Sequence, residues 1–262
     1  MSRIDDVFNK SKAKALIAYV TVGYPSLEQT ERVVPLLAES GCDIVELGIP
    51  FSDPLADGAT IQQASFCALQ NGITIKSCIE LVKRLRQEIS IPIVFMTYFN
   101  PVFNYGIENF CHDSAVVGVN GIIIPDLPPD ESSELEIISY ARGIDLIYLL
   151  APTSTQERIQ MVTRRSRGFI YLVSITGTTG ARDNLTTDLD ELIARVKRMT
   201  SKPVCVGFGI STPQQARQVA RLADGVIVGS QIIQLMLAEQ DLTSVRSFVK
   251  KLRQALNRAQ SD

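Results

Sequence analysis

Residues 44–58 read IVELGIPFSDPLADG. The apolar run Ile44-Val45 has the pattern of a buried strand, yet it closes on a carboxylate, Glu46. A second acid, Asp57, follows in a loop that contains Pro50, Ser52, Asp53, Pro54 and Gly58. One strand end and its loop therefore deliver two acids. Desolvating an ionised acid raises its pKa and destabilises the fold unless the charge has a partner or a task, which makes Glu46 a candidate proton-transfer group.

Outward from this stretch the same unit recurs. Upstream, a short helix over 3–10 precedes the β-rich run ALIAYVT (15–21), which Gly23 and Pro25 close. Ser26 then caps a helical pattern with Leu27, Val33, Val34, Leu36 and Leu37 on its apolar face, ending at Gly41. Pro35 inside that pattern predicts a kink or a helix boundary. Downstream, the strand over 44–48 is followed by helices over about 60–70 and 75–88. Strands over 92–97, 121–125, 145–150, 169–174, 203–207 and 225–228 are followed by helices over 106–116, 131–141, 155–165, 188–199, 212–221 and from 231 onward. Near-continuous apolar strands alternating with amphipathic helices indicate a parallel sheet covered on its outer face. Eight such units in 262 residues predict an α/β chain forming a single (β/α)8 TIM barrel with a short N-terminal extra helix, residues 1–262 making one domain. An open doubly wound sheet is the competitor. No Gly-x-Gly-x-x-Gly turn follows the first strand and no polar linker divides the chain, which weighs against it.

Composition narrows the partners. With 45% apolar and 21% charged residues and a net charge of −2, and with no dense basic run, nucleic acid and anionic membranes are poor partners. The five cysteines, 42, 67, 78, 111 and 205, are odd in number and scattered through mostly apolar surroundings, as in a reduced cytoplasmic protein. The polar, acid-bearing amino terminus resembles neither a secretory signal nor a transit peptide, and no apolar run reaches membrane-spanning length.

In a barrel the reactive groups come from the carboxyl ends of the strands. Those ends carry Tyr19 and Thr21, Glu46 and then Asp57, Thr97, Tyr98 and Asn100, Asp126, Thr153, Tyr171 and Ser174, Phe208 and Gly209, Gly229 and Ser230. No lysine stands among them, which disfavours Schiff-base chemistry. The sole histidine, His112, falls in a predicted helix and suits a surface or interface role, and no cluster has metal-ligand spacing. Acid/base chemistry by carboxylates remains. Three glycine-bearing loops supply a second signal: SITGTTGAR with Gly177 and Gly180, GFGIST with Gly207 and Gly209, and VGS with Gly229 and Ser230. Glycines at the last strand ends let backbone N–H groups approach a phosphate, and the helix after Ser230 adds a favourable dipole. The stretch 175–187 reads as a lid. Tyr19, Met96, Ile123, Leu149, Tyr171, Phe208 and Ile227 lie near strand ends, where inward-facing side chains would give an aromatic or flat ligand a slot, although core filling is the default for most residues of barrel strands. Phe208, between two glycines, is the one favoured as a ligand contact.

Together YVTVGYP (19–25), VELGIPFSDPLADG (45–58), TYFNP (97–101), IPDLP (124–128), YLVSITGTTGAR (171–182), VGFGIS (206–211) and VIVGS (226–230) resemble the alpha-subunit family of tryptophan synthase over nearly the whole chain. The resemblance implies cofactor-free retro-aldol cleavage of indole-3-glycerol phosphate to indole and glyceraldehyde 3-phosphate in tryptophan biosynthesis. It puts the catalytic glutamate on Glu46 and the catalytic aspartate on Asp57, a pocket tyrosine on Tyr171, and the indole slot on the apolar residues just named. Phosphate contacts fall on Gly180, Gly209, Gly229 and Ser230. It also implies a pyridoxal-phosphate beta subunit as partner in an alpha2beta2 heterotetramer, docked on 50–54 and 100–109. Where some members of the family carry arginine, this chain has Ile175, and Arg182 stands farther along the lid. Rival readings are a stand-alone lyase that releases indole, a silent allosteric partner, and a sister phosphate-binding barrel acting as an isomerase or a decarboxylating synthase. The intact acids weigh against the second, and the lack of a strand-end lysine or cysteine nucleophile against the third.

Overall fold

Apolar strands with alternating faces leave the chain one economical solution, a parallel sheet that closes on itself inside a ring of helices. A computed structural model of the protein describes residues 2–10, 13–173, 182–207, 209–238 and 241–259. The strands are Ala15–Thr21, Ile44–Gly48, Ile93–Met96, Gly121–Ile123, Asp145–Ile147 with Leu149–Leu150, Ile170–Val173, Val204–Gly207 and Gly225–Val228. The sheet has nine hydrogen-bonded segments, all paired in parallel. Two of them, Asp145–Ile147 and Leu149–Leu150, are halves of one strand broken at Tyr148. One half pairs with the fourth strand and the other with the sixth, so eight strands close into a barrel.

Period-two alternation sorts the side chains. Leu16, Ala18, Val20, Val45, Leu47, Ile93 and Phe95 face outward into the main core beneath the helices. Ile17, Ile44, Val94, Ile123, Ile147, Tyr171, Cys205 and Ile227 fill the lumen. Register pairs Tyr19 with Glu46 and Glu46 with Val94, so the glutamate stands among lumen residues of three neighbouring strands. The leading helix, Arg3–Lys10, closes the amino-terminal mouth: Ile4 is fully buried in the lumen cluster, and the Phe8 ring lies 6.2 Å from that of Phe169.

Several boundaries depart from the sequence reading. Pro35 lies inside the helix Leu27–Glu39 and ends nothing; the chain turns at Gly41, where φ is +103°. Two helices follow the third strand, Phe99–Tyr105, which the sequence reading does not foresee, and Ile107–Val117, which is the one expected over 106–116; they meet at Gly106 with φ +90°. The first of these is anchored by Asp126, whose Oδ1 accepts the Phe99 N–H at 2.9 Å, a long-range contact that sequence spacing does not reveal. The predicted lid 175–187 is shortened, because Arg182–Lys197 is helical: no glycine or proline follows Gly180 to stop the helix before 198. The rest of that lid, with Ile175, lies outside the described residues. Among the described residues no helix is long and apolar enough to cross a membrane.

Ile4→Ala removes a fully buried plug from the lumen. The expected loss is about 2–5 kcal/mol of unfolding free energy, read from denaturant melts with an unchanged m-value.

Candidate active site

The second strand sends Ile44, Glu46 and Gly48 inward and Val45 and Leu47 outward, so the alternation that builds the barrel also drives a carboxyl group into it. Glu46 is fully buried, and among the described residues neither carboxylate oxygen has a hydrogen-bond partner. Burial, and then the charge of Asp57, push its pKa up to about 8, so that the acid rests protonated at neutral pH.

Asp57 stands in the loop leaving the same strand. Two tight turns shape that loop, with Leu55 N–H donating to the Asp53 carbonyl at 2.9 Å and Asp57 N–H to the Pro54 carbonyl at 3.1 Å. Gln62, on the following helix Ala59–Gln70, donates to the Asp57 carbonyl at 2.9 Å. The Asp57 side chain is half-buried, and burial lifts its pKa to about 6 while the Tyr98 hydroxyl pulls it down. Burial thus raises both acids above the usual carboxylate range, Glu46 further than Asp57.

Two lumen tyrosines share the field of these acids. Both phenols are pushed well above their usual pKa, chiefly by burial, with further contributions from Asp57 and Glu46 on Tyr19 and from Glu46 on Tyr171. The Tyr19 hydroxyl lies 3.3 Å from Thr21 Oγ1. Each ring occupies the space over a glycine. A Cβ on Gly207 would stand 2.6 Å from the Tyr171 hydroxyl, one on Gly229 would stand 3.0 Å from Tyr19 Cδ1, and one on Gly48 would collide with the Tyr19 hydroxyl.

Of the residues assigned to an apolar slot, most pack together in the lumen. Met96, Ile123, Leu149, Tyr171 and Ile227 belong to one lumen cluster, and Met96 also touches the adjoining cluster that holds Tyr19. Phe208 and Gly180 lie outside the described residues. Gly209 has φ +63° with open space where a Cβ would stand, so its backbone conformation itself favours glycine. Gly229 has a second physical reason, the Tyr19 ring, which sequence reading missed. Ser230 opens the helix Ser230–Ala238, one residue earlier than predicted, so the unpaired N–H groups of that helix start directly after Gly229 at the carboxyl end of the eighth strand.

His112 is exposed and pairs with Arg142 through Nδ1 at 2.7 Å, a helix-surface contact. The residue sequence reasoning left without a role is Tyr98. It sits in TYFNP at a strand end, but no local spacing tells that it reaches back to the loop of Asp57.

A family model described as tryptophan synthase alpha chain matches residues 6–260. The tryptophan synthase alpha chain of Dehalococcoides mccartyi is 55% identical over 257 residues, covering 98% of this chain and 100% of that one. Its counterpart from Geobacter sulfurreducens is 47% identical over 262 residues, covering 98% and 99%. Among solved structures, a ligand-free tryptophan synthase from M. tuberculosis superposes with a TM-score of 0.90 at 37% identity, covering 98% and 99% of the two chains. The tryptophan synthase alpha chain of Legionella pneumophila gives 0.89 at 34%, covering 98% of each.

A carboxyl group whose folded pKa is raised weakens the fold as pH climbs from its unfolded value to its folded one. For Glu46 that window runs from 4.5 to about 8. Glu46→Gln therefore melts at a higher temperature than the parent at pH 8–9, and the gap closes at pH 4 in calorimetric scans.

Proposed function

Since the chain belongs to the tryptophan synthase alpha chain family, which cleaves indole-3-glycerol phosphate to indole and glyceraldehyde 3-phosphate, we propose that Glu46 and Asp57 divide the chemistry of that cleavage between them. The observation that carries this reading is a fully buried glutamate in the apolar lumen with neither oxygen partnered among the described residues, acted on by the aspartate of the loop that leaves the same strand, burial raising both carboxyls and Glu46 the further. Pairs of titratable groups whose environments push them apart mark acid and base assignments.

Protonated Glu46 delivers its proton to indole C3. The positive charge that develops on N1 is held by ionised Asp57, which accepts the N1–H. The bond from C3 to the glycerol side chain then breaks, its electrons returning to the ring, while the hydroxyl on the departing carbon gives up its proton to the Glu46 carboxylate and becomes the aldehyde. Glu46 ends the cycle protonated, as it began. Tyr19, Met96, Ile123, Leu149, Tyr171, Phe208 and Ile227 would grip the indole. Gly180, Gly209, Gly229, Ser230 and the helix end behind them would hold the phosphate. A closed barrel that recruits lumen residues from all of its strands supports a single domain over 1–262.

The family works with a beta subunit, and we assign this chain the same partner in an alpha2beta2 assembly. A groove of about 860 Å3 beside the Asp57 loop supports the assignment. Leu55 and Phe66 line it and are 83% and 56% exposed, and Phe103, on the 100–109 segment, is 63% exposed. Apolar side chains left in water at the catalytic end of the barrel are what a partner would cover. The free thiols accord with a reducing, cytoplasmic setting.

Glu46→Gln keeps the shape and loses the proton, so binding of indole propanol phosphate stays within a few-fold while turnover falls on the order of 10²- to 10⁴-fold. Wild-type turnover in that variant would end the assignment. In the parent, kcat/KM follows a bell: it falls below about 6 as Asp57 takes up a proton, and above about 8 as Glu46 loses one. Phe66→Glu and Phe103→Glu are expected to weaken titration of the beta subunit by roughly 10-fold or more while the isolated chain cleaves substrate at the parental rate.

A further inference from the structure

The loop that carries Asp57 has few ties to the barrel wall, and one of them runs through a phenol. Tyr98 follows the third strand, is only 4% exposed, and packs on Phe51 of the loop with ring centroids 5.2 Å apart. Its hydroxyl accepts the Ala56 N–H at 2.9 Å. A phenol has a single proton to donate, and the bond from Ala56 occupies a lone pair, so that proton remains available. Asp57 is the neighbour of Ala56 in the chain, and its carboxyl is the charged group that acts most strongly on the phenol. Among the described residues, the other ties of the loop are backbone turns and the Gln62 amide on the Pro54 and Asp57 carbonyls, none of which reaches the carboxylate.

We propose that Tyr98 is the positioning residue for Asp57, fixing the loop through the Ala56 N–H and aiming the carboxylate at the indole nitrogen by a hydrogen bond donated from the same hydroxyl. The inference rests on the role given to Asp57 above. Among the described residues, the charged and titratable groups that act with Asp57 are Glu46 on the second strand, Tyr19 on the first, Tyr171 on the sixth and Tyr98 itself, with Asp126 acting on Tyr98 from beyond the fourth strand. Burial favours the neutral form of Asp57, and the donation from Tyr98 is the influence that opposes it. Asp126 is already engaged with the Phe99 N–H and holds the segment that follows Tyr98 in place.

The test compares the parent, Tyr98→Phe, Asp57→Asn and the double variant in steady-state cleavage of indole-3-glycerol phosphate across pH 5–9. Tyr98→Phe is expected to lower kcat/KM on the order of 10- to 100-fold, the worth of one hydrogen bond to a charge. The acid limb of its profile should move to higher pH, because without the donor Asp57 takes up its proton sooner. In the Asp57→Asn background the same change should cost little, since the two groups act as one unit. An unmoved acid limb, or an equal loss in the Asp57→Asn background, would reduce Tyr98 to packing and leave the assignment of Asp57 standing. Wild-type turnover by Asp57→Asn would instead overturn the assignment of Asp57 and this inference with it. Should Tyr98→Phe fail to fold, Tyr98→3-fluorotyrosine decides: the more acidic phenol donates more strongly, so the acid limb must shift to lower pH, a response that packing does not produce.

Discussion

A carboxyl group sealed inside an apolar barrel, with no hydrogen-bond partner among the described residues, is the constraint on which the rest of the structure depends. Strand alternation leaves Glu46 no other place: turning it outward would bury it among the residues beneath the helices and turn Val45 and Leu47 into the lumen. An ionised carboxylate in that setting is far more costly than a neutral one, so the group keeps its proton to an unusually high pH. Asp57, on a loop at the mouth rather than on the strand, is less desolvated and ionises first. Its charge then pushes Glu46 further toward the neutral form. On the proposed assignment these are the proton and the charge for cleavage at indole C3, and the difference between the two acids follows from their depth in one barrel.

The two ends of the barrel are built for different tasks. At the amino-terminal end everything is tied down. Arg253, on the helix Thr243–Arg258, donates to the carbonyls of Gly41 at 2.9 Å and Lys14 at 3.0 Å and pairs with Asp43, whose carboxylate also accepts the Leu16 N–H at 2.7 Å. That one side chain fastens the entries of the first two strands. At the carboxyl end the strands finish in Gly48, Gly207 and Gly229, where missing Cβ atoms let Tyr19 and Tyr171 lie flat across the rim. Stability is concentrated below and binding space above, the division typical of (β/α)8 enzymes. The loop of Asp57 belongs to the upper end, and its attachment through Tyr98 keeps an otherwise exposed segment in register with the lumen.

What the sequence by itself determined is whatever depends on period and chain order. Alternating apolar strands and capped helices specify a parallel barrel, and chain order puts Tyr19, Glu46, Met96, Ile123, Leu149, Tyr171 and Ile227 near its strand ends. Motif order then points to the family. The tertiary structure alone decided what depends on contacts between distant segments: that Tyr98 reaches the loop of Asp57, that Gly229 makes room for a tyrosine from the first strand, that Asp126 starts the helix after the third strand, and that Glu46 has no hydrogen-bond partner among the described residues. The physical reason is range. Periodicity is a local property of the backbone and survives in a one-dimensional string, whereas desolvation and hydrogen bonding are set by neighbours that only the closed barrel brings together.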